Sequence, residues 1–85
     1  MLYELIVPTN TDRALGWLGA ANLTHRGKRW GISWHHCGAA PVRVTCNGAG
    51  AQVGDLPASV CRTFRAAGEA LGVYEPGKPP TPGNR

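Results

Sequence analysis

Eighty-five residues, 42% of them hydrophobic and carrying a net charge of +4, specify a single domain with a thin core, since a chain this short buries only about 60–65% of the surface its unfolded form exposes. That argues against an elaborate active-site cleft, while three tryptophans supply the large burial units that argue against global disorder. Arginine makes up seven of the nine cations and suits bidentate contacts to carboxylate or phosphate, although scattered charges of this sum also serve simply to keep a small protein soluble.

Leu2-Tyr3-Glu4-Leu5-Ile6-Val7 is β-rich and stops at Pro8, which predicts a first strand too apolar to be an exposed edge on both faces. Thr9 to Asp12 then offers several N-cap candidates. Ala14, Trp17, Leu18 and Ala21 follow at the spacing of one helical face, predicting a first helix with Asp12 in its first turn. Gly16 and Gly19 each cost such a helix about 1 kcal/mol relative to alanine, so it must depend on packing, or the glycines permit close approach to a sheet.

After the basic connection His25 to Lys28, the run Arg29-Trp30-Gly31-Ile32-Ser33-Trp34-His35-His36 alternates strictly, with Trp30, Ile32, Trp34 and His36 on one face and Arg29, Ser33 and His35 on the other. Val42-Arg43-Val44-Thr45-Cys46 repeats the pattern beyond the Cys37-to-Pro41 loop. The two segments, about 28–36 and 42–46, form a hairpin in which parity buries the tryptophans. The register expected sets Trp34 opposite Val44, His36 opposite Val42 and Ile32 opposite Cys46, with His35 opposite Arg43 and Ser33 opposite Thr45 on the outer side.

Asn47-Gly48-Ala49-Gly50 is a turn, with Ala51-Gln52-Val53 as a short further strand. Helix two is clearer: Asp55 as N-cap, Pro57 in the first turn, an apolar stripe of Leu56, Val60, Phe64, Ala67 and Leu71, and Gly72 as the stop. Its other face carries Arg62, Arg65 and Glu69. Residues 75–85, with four prolines and two glycines, cannot build a core and read as a disordered tail with polyproline character. The expected fold is a small α+β two-layer sandwich over residues 1–74, in the order β-α-β-β-(β)-α, with two helices covering one face of the hairpin.

Chemical motifs are thin. Adjacent strand residues point to opposite faces, so His35 and His36 cannot share a metal ion. His36, Cys46 and Cys61 form the one set that parity would allow, but without the paired spacing of a zinc site. Buried free cysteines are the simpler reading, with a Cys46–Cys61 disulfide as the alternative. Gly48 and Gly50 start a dinucleotide-like glycine pattern whose third position is Val53. A phosphate at the start of helix two would meet repulsion from Asp55. Ser33 or Cys37 beside a histidine, oriented by Asp12 or Asp55, would be needed for nucleophilic catalysis, and no spacing selects such a set. No cofactor and no metal are expected. Three cysteines give no closed disulfide framework, the N terminus does not resemble a signal peptide and no run spans a bilayer, all pointing to the cytoplasm.

What remains is a binding surface made of Arg26, Lys28, Arg29, Ser33, His35, Arg43 and Thr45. It fits an acidic protein surface, with arginines as anchors, such as a subunit of a nucleoprotein complex. The alternative is direct nucleic-acid binding through phosphate contacts, for which single strands would also want exposed aromatic platforms. The function expected is therefore a non-enzymatic protein-binding module. In size and style, though by no motif, the chain resembles small phage or mobile-element proteins, including inhibitors of host defence enzymes that act by steric occlusion.

Overall fold

A computed structural model describes residues 2–36 and 42–74; the expected polyproline tail and the Cys37–Pro41 loop lie outside them. The elements are β1 (Glu4–Ile6), α1 (Asn10–Ala14), β2 (Trp17–His25), β3 (Lys28–His35), β4 (Val42–Cys46), β5 (Ala49–Ala51), a 3-10 turn (Val53–Asp55) and α2 (Ala58–Ala70). The strands form one antiparallel sheet in the order β1-β2-β3-β4-β5. The fold is α+β as expected, but one helix rather than two covers the sheet.

The first helix starts where the sequence predicts and ends much sooner. Thr9 and Asp12 close a capping box: the Thr9 N–H donates to Asp12 Oδ2 at 2.9 Å and the Asp12 N–H to Thr9 Oγ1 at 3.0 Å. Gly16 at φ +93° follows the helix C-cap Leu15, and Trp17 to His25 runs on as a strand with Gly19, φ +132°, at its bulge. Ala21 fitted the helical spacing, but it also alternates with Leu23, and in β2 both are buried while Thr24 is exposed. Gly19 also needs its missing side chain, because a Cβ there would lie 2.6 Å from Leu71 Cδ1.

The central hairpin keeps the expected parity with a register displaced by two residues. Trp30 faces Cys46, Ile32 faces Val44 and Trp34 faces Val42, while Ser33 faces Arg43 and Gly31 faces Thr45. Parity forbids a slip of one but is blind to a slip of two. Asn47 pins the observed register, its N–H donating to the Arg29 carbonyl at 2.7 Å and its Oδ1 accepting from the Arg29 N–H at 2.9 Å. Positive φ at Asn47 and Gly48 makes the two-residue turn that leads into β5.

The core is Ala21 and Leu23 of β2, Trp30, Ile32 and Trp34 of β3, Val44 of β4, and Val60, Phe64 and Ala67 of α2. The stripe predicted for helix two is thus the one that packs. Its end is a Schellman motif, with Val73 N–H donating to the Gly68 carbonyl at 2.8 Å and Gly72 N–H to the Glu69 carbonyl at 3.1 Å, Gly72 at φ +79°. Its start differs from expectation. Pro57 is the N-cap and supplies no side-chain bond; Asp55 instead closes the preceding turn, its Oδ2 accepting from the Gln52 N–H at 3.0 Å. Beyond α2, Tyr74 folds back so that its hydroxyl accepts from Trp34 Nε1 at 2.9 Å, with the rings edge to face. No helix among the described residues is long and apolar enough to cross a membrane.

Candidate functional site: an apolar sheet edge and a basic cleft

The proposed strand face does not survive as one patch. His35 is the clearest correction: it lies on the outer side, as parity requires, yet is only 9% exposed. A bulge between Trp17 and Gly19 brings Trp17 opposite His35, and the two rings meet at a tilt of 43° with centroids 3.9 Å apart. Burial, reinforced by the positive charge of Arg43, holds the imidazole below its ordinary pKa, and the Trp17 ring lies against it. Arg29 is engaged too, its Nη2 lying 3.3 Å from Glu4 Oε1. Arg43 and Thr45 are exposed and Ser33 is half-buried between Ala20 and Arg43. Arg26 and Lys28 belong to a different neighbourhood, the β2–β3 turn.

The chemistry weighed for catalysis and metal binding does not assemble among the described residues. Asp12 and Asp55 each spend a carboxylate oxygen on a backbone N–H, of Thr9 and Gln52. Among the described residues no three His, Cys, Asp or Glu side chains are placed to hold a metal ion together. His36 is exposed past the end of β3, whereas Cys46 pairs with Trp30 near its beginning. Cys46 is half-buried and Cys61 exposed, both free thiols, so Cys61 is not the buried cysteine expected; it sits outside the helix stripe that packs.

Two surfaces with character replace the predicted one. The first is β1. The core draws on β2, β3, β4 and α2 and takes nothing from β1, so a strand expected to need cover lies bare at the sheet edge. Leu2 is 94% exposed, Leu15 65% and Val7 62%, with Tyr3, Leu5 and Ile6 exposed beside them. Five of the seven exposed large apolar side chains among the described residues, Leu2, Tyr3, Leu5, Ile6 and Val7, lie in or next to β1. The sequence carried the signal in its apolar run, and only the strand order reveals that no other described strand or helix covers it.

The second surface is at the sheet end that holds both two-residue turns. Arg26 at φ +52° and Gly27 at φ +78° form the β2–β3 turn, which presents His25, Arg26 and Lys28 toward the start of α2. Together with Arg62 they rim an open cleft of 840 Å³ floored by Trp30. His25 and Arg62 were not among the predicted contact residues, because only the turn and the helix start bring them to Arg26 and Lys28. Compared with protein-family models, with curated proteins and with solved structures, the chain finds no match in any of the three.

Proposed function

We propose that this chain is a non-enzymatic module that docks onto another protein by strand addition at β1, its occupant being an extended apolar segment flanked by acidic residues. The observation that carries the reading is the bare edge. No strand among the described residues pairs with its outer side, and exposed apolar side chains stand on both its faces, Leu5 on one and Ile6 on the other, the combination that templates pairing with another strand. The opposite edge, Ala49-Gly50-Ala51, offers no comparable side chains. Charge supports the acidic flank: Ile6, Ala20, Ser33 and Arg43 form one row across the open face, and Arg43, like Arg13 beside Leu15, is exposed with no ion-pair partner among the described residues. Such a module acts sterically, by occupying an interface or a nucleic-acid site on a larger complex, as the small phage and mobile-element inhibitors it resembles in size do.

Photo-crosslinking tests this. A benzoylphenylalanine in place of Leu2 should label an extended segment of a partner protein, the same group at Gly50 should not, and Ile6→Lys should abolish labelling without changing the circular dichroism spectrum. Crosslinks confined to a second copy of the chain, or labelling that survives Ile6→Lys, would refute strand addition to a foreign partner.

A further inference from the structure

We propose that the cleft at the start of α2 is a phosphoanion site, taking adjacent phosphates of a single-stranded nucleic acid or of a free oligophosphate. Four basic side chains from three elements and a turn converge on it: His25 at the end of β2, Arg26 in the turn, Lys28 at the start of β3 and Arg62 in α2. None has an ion-pair partner among the described residues. Arg26, Lys28 and Arg62 set three permanent cations against the single carboxylate of Asp55 in the lining, and an anion relieves the repulsion that this excess leaves.

The helix start adds to them. Its first N–H groups have no intrahelical acceptor, Pro57 offers no capping side chain, and Ala58 and Ser59 line the cleft. Ser59 and Arg62 stand three residues apart on α2 and so share a face. Asp55 also lines the cleft, but it does not cap the helix, and its Oδ2 accepts from the Gln52 N–H at 3.0 Å, which leaves the helix N–H groups open to an anion. Trp30 also forms part of the lining. Trp30 is only 5% exposed, and its indole N–H is buried without an acceptor among the described residues, a donor of the kind that native structures leave unmet only for a reason. Tetrahedral phosphates suit the set better than carboxylates, since their oxygens can engage an arginine fork, an ammonium, a hydroxyl and helix N–H groups together.

The full chain should be titrated with tripolyphosphate, with a short oligodeoxythymidylate and with a polyglutamate peptide, following backbone amide shifts by NMR and tryptophan emission. Both phosphate probes should shift amides of Arg26, Lys28, Ala58 and Ser59. The triple variant Arg26→Asn, Lys28→Gln, Arg62→Gln should weaken them by at least about tenfold, since each change removes a charge-assisted contact. Asparagine tolerates the left-handed turn position, so the variant keeps the hairpin. Tighter binding of the oligonucleotide, with a salt slope that flattens in the variant, would assign a nucleic-acid strand; tighter binding of tripolyphosphate would assign a free oligophosphate. Unshifted amides, undiminished affinity in the triple variant, or polyglutamate binding as tightly as phosphate would overturn the site. Ile6→Lys should bind both phosphate probes normally, which keeps this test separate from that of the sheet edge.

Discussion

Replacing Gly68 by alanine sets two effects of opposite sign against each other. Gly68 lies in the last turn of α2, where intrinsic propensity favours alanine by about 1 kcal/mol. The added Cβ, however, would stand 2.6 Å from Tyr74 Cδ2 and Cε2 and 3.3 Å from Trp34 Cζ2, well inside the roughly 3.5–4.0 Å at which carbon atoms pack. Trp34 is among the most deeply buried side chains and cannot yield, so the Tyr74 ring must leave. Its departure strips the Trp34 N–H of its acceptor, at a cost of about 1–3 kcal/mol, and breaks an edge-to-face pair that contributes about 0.5–1.5 kcal/mol more. The net expectation is destabilisation of about 1–3 kcal/mol, each kcal/mol lowering the melting temperature by about 4–8 °C in a domain of this size. Urea unfolding followed by circular dichroism would measure it, with the same substitution repeated in a Tyr74→Ala background, where it should be neutral or stabilising. A Gly68→Ala protein more stable than wild type, or a penalty that persists without Tyr74, would refute the reasoning.

Phe64→Ala or Trp34→Ala should cost about 3–5 kcal/mol, enough to leave so small a domain largely unfolded, and a native circular dichroism spectrum in either variant would show that the core is held elsewhere. Stability should also depend on His35. Its native pKa lies below the ordinary value of 6.5 because of burial and then Arg43, so as pH falls below about 6.5 the unfolded chain takes up the proton first and stability declines until the lower native value is passed. His35→Phe, which keeps a ring under Trp17, should flatten that decline in urea midpoints measured between about pH 7.5 and 5.5; equal slopes in both proteins would count against a buried neutral imidazole.

The central hairpin and α2 were legible because their signals are redundant. Trp30, Ile32 and Trp34 can be buried together in only one parity, and Val60, Phe64 and Ala67 form a stripe between a proline and Gly72. The segment from Ala14 to Ala21 was ambiguous for the opposite reason: its apolar residues serve a helix or a strand, and the glycines at 16 and 19 decide in favour of the strand through positive φ. Most of the predicted site was illegible because its state depends on other strands. Trp17 buries His35 across a bulge, Glu4 engages Arg29 from the neighbouring edge, and Arg62 reaches Arg26 only once the helix start is placed. Composition reveals the apolar character of β1 but not which strand will stand at the end of the sheet.

Because every strand pairs with its sequence neighbour, the sheet can be assembled from short loop closures, the least costly in chain entropy and the fastest to form. Synthesis completes β5 at Ala51 before any of α2 exists. During that interval Trp30, Ile32 and Trp34 belong to a sheet whose inner face has no cover, and only the arrival of Val60, Phe64 and Ala67 closes it. The same topology that makes nucleation easy therefore gives the nascent chain a bare aromatic surface, and it makes the timing of the last helix, rather than the pairing of strands, the step at which the growing chain is most prone to aggregate.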